Sequence, residues 1–221
     1  TVDLVLGGDD GLSRLEKEIN TSKSVLLIKA KSLSDARKKN ASAVAKEVIK
    51  DIELMGIYES KLEFKFSNTE LNKFGTDQIE LLFSANKGAP LGKIDKIASG
   101  GELSRLMLSV KKLIGAKAAL PTIVFDEIDT GISGEVASQM GQLMKKMGKT
   151  IQVVAITHLP QIAAKGHAHF KVFKSREKEQ TTSDIKELTD ESRVDEIAQM
   201  LSGINVSTSA RQNAIELINQ I

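Results

Sequence analysis

The sequence predicts an α/β fold in which helices flank a parallel sheet, an antiparallel strand pair precedes the sheet, and a long helix opens the chain. Three patterns lead to this prediction. Apolar residues in 11–57 recur every three or four positions, as on one face of a helix. Segments at 62–66 and 78–85 alternate apolar and polar residues, as half-buried strands do. Farther on, short apolar strands at 122–125 and 151–156 alternate with helical patterns, an order typical of parallel sheets.

The N-terminal segment 11–57 predicts one long helix that ends near Gly56. From Val44 the apolar stripe shifts to a new face, as at a stutter in a coiled coil. The seam before that shift is weak; it consists of Leu12, Leu15, Ile19, Ser22, Leu26, Lys29, Leu33, Ala36, Asn40 and Ala43. We expect a coiled-coil or helical-hairpin arm, and an ordinary amphipathic helix is the alternative.

The remaining elements follow from local patterns. The polar stretch 67–77 predicts a connection between the paired strands, and 86–90 predicts a turn. The strand 122–125 is apolar throughout, which predicts burial on both faces. A solvated loop is expected at 176–180. The other predicted elements are helices at 102–117 and 134–147, a short helix at 159–165, strands at 170–173 and 184–188, and helices at 194–201 and 209–221.

Composition excludes some classes of function. The chain has 221 residues and no cysteine, which excludes disulfides, thiolate nucleophiles and cysteine-based zinc sites. Its 31 basic and 29 acidic residues neither support nor exclude nucleic-acid binding. No apolar run approaches the ~18 residues of a membrane span, and no signal peptide precedes the first helix, so we expect a cytoplasmic protein. Because the chain starts with Thr1, we expect it to be a segment of a longer protein.

Two acidic residues directly follow an apolar strand. Asp126 and Glu127 come after 122–125, and the carboxyl edge of a parallel sheet is where α/β proteins bind ligands. Asp126 can hold Mg²⁺, which prefers oxygen ligands. Glu127 can orient and deprotonate a water that attacks a phosphate. A strand that simply meets a polar loop is the alternative.

A glycine-rich turn stands directly before the helix 102–117. Ser99 is placed to cap this helix, Gly100 and Gly101 allow close approach of an anion, and Glu102 lies in the first turn. Such a helix start is suited to bind phosphate. A second polar residue, His158, ends the strand 151–156 and is placed to contact a phosphate or the attacking water. Each feature alone is also compatible with a purely structural role.

The three features together resemble the order of signature motif, Walker B motif and switch histidine in ABC-type ATPases. The segments 97–105, 124–134 and 156–163 closely resemble the C-terminal part of the RecN family, which are SMC-like proteins of bacterial double-strand-break repair and recombination. The resemblance covers nearly the whole chain and is weakest in the first helix. It implies that 1–57 is the coiled-coil arm entering the head, and that 58–221 is the C-terminal lobe of an ABC/SMC-type P-loop NTPase head.

The resemblance also implies roles for individual residues. Ser99, Gly100 and Gly101 would bind the γ-phosphate of an ATP that is held by the opposite head of a homodimer, and Glu102 would belong to the same cofactor-binding turn. Asp126 would serve Mg²⁺. Glu127 and His158 would be the catalytic residues, acting on the attacking water and the γ-phosphate. DNA would be a partner, and the protein would be located at the nucleoid. The sequence departs from the SMC pattern at Ser133, since related ATPases usually carry Asp seven residues after the Walker B Asp.

A phosphate loop is missing from this chain. The motif G-x-x-x-x-G-K-[ST] must lie between a strand and a helix, and neither 88–94 nor 143–150 meets the pattern and that context. We therefore expect an ATPase segment that is inactive alone and needs an N-terminal segment of the same protein. Two alternatives remain open, namely the ATPase subunit of an ABC transporter and a coiled-coil interaction module that does not hydrolyse ATP.

Overall fold

The structure is a computed structural model that describes residues 2–118, 120–126, 128–177 and 180–220. It divides into two compact units. The first comprises residues up to 49, 61–84 and 88–97, and the second comprises 50–60, 85–87 and 98–221. No helix in the described part of the chain is long and apolar enough to span a membrane.

The predicted N-terminal helix is confirmed as α1, which runs from Val2 to Leu54. It ends three residues earlier than predicted because a Schellman turn closes it. The Gly56 amide donates to the carbonyl of Glu53 at 3.1 Å, and the Ile57 amide donates to that of Ile52 at 3.0 Å. Gly56 takes the φ of +83° that this turn requires, and a Cβ there would lie 3.0 Å from Val136 Cγ2.

The first unit contains a three-stranded antiparallel sheet of β1 (Lys61–Asn72), β2 (Gly75–Ser84) and β3 (Gly92–Lys93), followed by α2 (Ile94–Ile97). The predicted connection at 67–77 is wrong, because both strands continue through it to a tight turn. In that turn, the Asn72 Oδ1 accepts a hydrogen bond from the Phe74 amide at 2.8 Å, and Gly75 has a φ of +101°. The polar side chains of this stretch are those of an exposed hairpin.

Within this unit, α1 is joined to the sheet through Asp77. The Ser34 hydroxyl donates to Asp77 Oδ1 at 2.7 Å, and Arg37 Nη1 lies 3.1 Å from Oδ2. The Ser34 hydrogen bond, with help from Arg37, lowers the pKa of Asp77 below its ordinary value. Earlier in α1 the apolar seam is exposed to solvent, at Leu12, Leu15, Ile19, Leu26 and Leu33.

The second unit is built on the parallel pair β4 (Thr122–Asp126) and β5 (Gln152–Ile156), as predicted. Two helices, α3 (Gly100–Ala118) and α4 (Gly134–Met147), complete the predicted α/β order. The helix α3 packs on the inner face of β4, since a Cβ at Gly115 would lie 3.1 Å from Ile123 Cδ1.

The prediction that β4 is buried on both faces is wrong for this chain. Ile123 and Phe125 are buried, whereas Val124 of β4 and both Val154 and Ile156 of β5 are exposed. The reason is that the described chain supplies helices for one face of the pair only. Parallel sheets are almost always covered on both faces, so this apolar face lacks its cover.

The remaining elements form the C-terminal part of the second unit: α5 (Pro160–Ala163), β6 (Phe170–Glu177), β7 (Gln180–Glu187), α6 (Asp190–Ser202) and α7 (Thr208–Asn219). The loop expected at 176–180 is instead occupied by the ends of an antiparallel hairpin, apart from 178 and 179, which lie outside the described residues. Buried Lys165 fastens α7, because its Nζ donates to the carbonyls of Leu217 at 3.0 Å and Gln220 at 2.8 Å. A positive charge is favourable at such a helix C-terminus.

Removal of the Asp51 carboxylate tests how the end of α1 is held to α3. Asp51 is buried, accepts a hydrogen bond from the Ser109 hydroxyl at 2.7 Å, and lies 2.8 Å from Lys112 Nζ. Asp51→Ala leaves both donors without their acceptor, so we expect the free energy of unfolding to fall by about 2–3 kcal/mol in urea titrations. Asp51→Asn should lose less, and Glu47→Ala, at an exposed position of α1, should change little. Equal effects of Asp51→Ala and Glu47→Ala would contradict this assignment.

The half-buried His169 gives a prediction about acid sensitivity. Burial first, and then Arg193, lower the pKa of His169 below 6.5, although Glu196 opposes them and Lys171 adds to them. As the pH falls below about 6.5, the unfolded chain therefore binds a proton before the folded one does, and stability is lost in that range. We expect His169→Gln to flatten the decline in the free energy of unfolding between pH 7.5 and 5.5. A decline with the same slope in His169→Gln as in the wild-type chain would argue against the assignment.

Candidate functional site

The turn before α3 is a reciprocal capping box. The Ser99 carbonyl accepts the first helical hydrogen bond, from the Leu103 amide at 2.9 Å. The Ser99 hydroxyl accepts from the Glu102 amide at 3.4 Å, and Glu102 Oε2 accepts from the Ser99 amide at 2.8 Å. The predicted cap is therefore confirmed. The Glu102 carboxylate is therefore already hydrogen-bonded to the Ser99 amide, and this contact holds Ser99 in position.

The two glycines of this turn lie inside the helix rather than before it, because α3 begins at Gly100. A Cβ at Gly100 would meet nothing within 4 Å. A Cβ at Gly101 would meet only the Thr130 carbonyl oxygen at 3.6 Å and Arg105 Nη2 at 3.9 Å, both ordinary contacts. The described chain therefore has room for a side chain at either position, and glycine there also leaves the backbone open to a close approach by an anion.

Arg105 is a site residue to which sequence reasoning assigned no role. Its Nε donates to the Gly101 carbonyl at 3.1 Å, and its Nη1 donates to the Met55 carbonyl at 3.0 Å. Burial lowers the pKa of the guanidinium, which still stays charged at neutral pH. Arg105 thus joins the first turn of α3 to the residues that end α1.

The parallel pairing of β4 and β5 brings two of the predicted residues to one sheet edge. Asp126 is level with Ile156 in the register, and His158 follows two residues later. Both side chains are exposed, with 73% of the His158 side chain open to solvent. The third predicted residue at this edge, Glu127, lies outside the described residues.

The side chains at this edge are compatible with a metal ion that receives most of its ligands from water and from a bound phosphate group. Within 2–118, 120–126, 128–177 and 180–220, no group of three or more His, Asp or Glu side chains could hold a metal. Asp126 alone offers one exposed carboxylate. Mg²⁺ commonly takes only one or two protein carboxylates and completes its shell with water and phosphate oxygens, so the single carboxylate is compatible with it.

Asp129 is the second residue that sequence reasoning missed. It is buried, and its Oδ2 accepts hydrogen bonds from the Thr157 hydroxyl and, at 3.2 Å, from the His158 amide. The same oxygen lies 3.5 Å from His158 Nδ1. Nothing in the sequence separates this Asp from the exposed Asp126, because both are acidic residues at the end of one strand. The carboxylate joins the loop after β4 to the end of β5.

The loop after β4 leads through Gly131, with a φ of +75°, to Ser133. Ser133 precedes α4 in extended conformation, and its exposed side chain makes no capping hydrogen bond to that helix. Position 133 is therefore occupied by a short hydroxyl side chain that makes no capping hydrogen bond to the helix that it precedes.

Comparisons with known proteins agree on one family. No family model matches the chain. "DNA repair protein RecN" of Halalkalibacterium halodurans is 31% identical over 99% of this chain and 40% of its own length. Those of Deinococcus radiodurans and Bacillus subtilis are 38% and 32% identical, over 92% and 99% of this chain. The chain spans about two fifths of the length of these relatives, since the alignments cover 40%, 36% and 41% of them.

Solved structures show the same fold. An Smc head domain with a coiled coil and joint from Pyrococcus yayanosii has a TM-score of 0.64, with 18% identity over 86% of this chain and 35% of its own. A second structure, described under ATP-driven dimerization and DNA stimulated activation of SMC ATPases, has a TM-score of 0.54. It covers 76% of this chain and 97% of its own, at 16% identity. The predicted fold class, an SMC-type head lobe with a long N-terminal helix, is confirmed.

Alanine at the two glycines of the α3 turn tests whether the fold requires them. Both positions are helical and have room for a methyl group. We expect Gly100→Ala and Gly101→Ala each to keep or raise the free energy of unfolding, by up to about 1 kcal/mol, because alanine loses less backbone entropy in a helix. Urea unfolding of the chain measures this. A clear loss of stability would mean that the glycines serve the fold itself.

Proposed function

Because this chain belongs to the RecN family, we propose that it is the C-terminal part of an SMC-like ATPase that acts in double-strand-break repair and recombination. The observation that carries the proposal is the sheet edge at which β4 and β5 end together, with Asp126 at the end of β4 and His158 two residues after the end of β5. A catalytic edge of this kind needs a nucleotide opposite it, and the capped turn at α3 is suited to bind the phosphates of one.

The turn at 99–101 would bind the γ-phosphate of an ATP held by another head. The start of α3 carries free backbone amides and the positive end of the helix dipole, which together favour an anion. Ser99 would add its hydroxyl, and Glu102 would keep Ser99 in place through the capping box. The tolerance of Gly100 and Gly101 for a Cβ within the chain supports a ligand as the reason for glycine.

The edge at β4 and β5 would supply the hydrolytic groups. Asp126 would hold Mg²⁺, which neutralises phosphate charge when it is bound. We propose Glu127 as the base that takes a proton from the attacking water, a role that rests on its place in the sequence directly after Asp126. His158 would contact the γ-phosphate through its exposed ring.

The rest of the head would come from an N-terminal segment of the same protein. The chain spans about two fifths of its RecN relatives, and it carries no phosphate loop. The exposed apolar face formed by Val124, Val154 and Ile156 is the face of a parallel sheet, and such faces are normally covered. We propose that the N-terminal segment covers this face and brings the phosphate loop to the carboxyl edge.

The same reasoning applies to the arm. We propose that 1–57 is a coiled-coil arm and that 58–221 is the C-terminal lobe of the head. The exposed leucines and isoleucine of α1 would pack on a returning helix, since an apolar helix face in water is stabilised by such a partner. Two heads would sandwich ATP as a homodimer that acts on DNA, in the cytoplasm at the nucleoid.

ATP hydrolysis by the chain, alone and mixed with the N-terminal segment, tests the proposal. We expect negligible turnover from either part, turnover from the mixture, and a loss of at least about 100-fold with Glu127→Gln, because a general base contributes that much or more. Robust hydrolysis by this chain alone would contradict the split site. No hydrolysis by the mixture or by the full-length protein would favour a module that does not hydrolyse ATP.

A matched variant separates nucleotide binding from folding. Gly101→Ala should keep the fold, yet it should abolish ATP-dependent association of full-length heads, measured by sedimentation in the presence of ATP and Mg²⁺. Glu127→Gln should instead retain that association and lose only hydrolysis. Normal association of Gly101→Ala would remove the turn at 99–101 from the proposed nucleotide site.

A further inference from the structure

We propose that Asp129 is a positioning residue for His158, and that hydrolysis depends on the charge of its carboxylate. This inference rests on the proposed function, since it assigns Asp129 to the same site. It concerns a side chain that contacts no nucleotide in the proposed mechanism. Only 1% of Asp129 is exposed, although it lies at the edge of the sheet where its neighbours Asp126 and His158 are open to solvent.

A buried carboxylate needs donors, and Asp129 finds them on the neighbouring strand. Burying a charge without hydrogen-bond partners is strongly unfavourable. Here the Thr157 hydroxyl and the His158 amide both donate to Oδ2. Thr157 is held in turn, because its Oγ1 accepts a hydrogen bond from the Leu159 amide at 3.0 Å. The backbone at 157–159 is therefore fixed around one oxygen of Asp129.

The same oxygen faces the His158 ring. Its distance of 3.5 Å from Nδ1 is within the reach of an ion pair, and contacts of this kind tighten when a ligand binds. We infer that the carboxylate orients the imidazole ring with Nδ1 toward Asp129. The opposite ring nitrogen, Nε2, is then left on the side away from Asp129, in a ring whose side chain is 73% exposed. Asp129 thus selects which nitrogen is presented outward.

Asp129 also links two parts of the site, the end of β5 and the turn that follows β4. It follows Asp126 by three residues on one strand end and binds the end of the next strand. The residue after it, Thr130, presents its carbonyl oxygen toward Gly101, 3.6 Å from where a Cβ would lie. One carboxylate therefore links His158 to the turn at 128–130, which follows the strand that ends at Asp126.

A purely structural role for Asp129 makes a different prediction, and a double-mutant cycle separates the two. If Asp129 acts through His158, its replacement has no further effect once His158 is gone. If it only stabilises the loop, its replacement lowers activity by the same factor with or without His158. Asp129→Asn is the suitable change, because it keeps the size of the side chain and an acceptor oxygen while it removes the charge.

The experiment measures ATP turnover of the full-length protein carrying Asp129→Asn, His158→Gln or both. We expect Asp129→Asn to lower kcat about tenfold or more with KM for ATP within about twofold, and to change kcat less than about twofold in the His158→Gln background. If Asp129→Asn lowers kcat by the same factor in the wild-type protein and in the His158→Gln protein, the inference is overturned. If the wild-type protein hydrolyses no ATP, the proposed function itself fails, and the inference fails with it.

A second pair of variants keeps the test decisive if Asp129→Asn unfolds the protein. Thr157→Val removes the hydroxyl that donates to Asp129, whereas Thr157→Ser retains it. We expect Thr157→Val to lower kcat about threefold or more at a temperature well below its melting temperature, and Thr157→Ser to restore wild-type turnover. Wild-type turnover in Thr157→Val would overturn the inference, since the hydrogen bond to Asp129 would then have no part in catalysis.

Discussion

The parallel pairing of β4 with β5 determines where the chemistry of this chain can occur. Five consecutive residue pairs, from Thr122 with Gln152 to Asp126 with Ile156, keep the two strands in one register and end them together. A shift of one residue would turn each side chain to the opposite face and separate Asp126 from His158. The buried Asp129 secures this register beyond the last ladder bond, because it draws the loop after β4 onto the backbone of β5.

The beginning of α3 depends on a second set of contacts, at the end of α1. Gly56 closes α1 with a Schellman turn, which leaves the Met55 carbonyl to accept a hydrogen bond from Arg105. One turn earlier, Asp51 accepts from Ser109 in the middle of α3. Two contacts along α3 therefore fix the helix whose first turn holds Ser99. Arg105 therefore connects the terminal residues of α1 to the proposed phosphate-binding turn.

Two apolar surfaces of this chain are exposed to solvent. The outer face of the β4–β5 pair exposes Val124 and Ile156, and the early part of α1 exposes Leu15 and Ile19. Each is the kind of surface that proteins bury, one as the second face of a parallel sheet and the other as a helical seam. This is the pattern expected of a segment whose relatives are about two and a half times as long, as the 40% coverage of the first relative implies.

The sequence by itself determined what depends on neighbouring residues. The helix 134–147 was predicted to the residue, the cap at Ser99 follows from the Ser-x-x-Glu spacing, and the strand ends at Asp126 and Ile156 follow from apolar runs. Local pattern failed where two exposed strands pair across a tight turn. The stretch 67–77 looked like a loop because exposed hairpin strands carry the same polar residues as loops do.

Only the tertiary structure determined which individual side chains are buried and which partners they contact. Asp126 and Asp129 are the same residue type three positions apart. Asp126 is exposed, whereas Asp129 is buried and accepts hydrogen bonds from Thr157 and His158. Arg105 gained its role only when Met55, fifty positions away in sequence, came within hydrogen-bond distance. Burial and long-range hydrogen bonds depend on which segments meet in space, and a single sequence read locally does not contain that information.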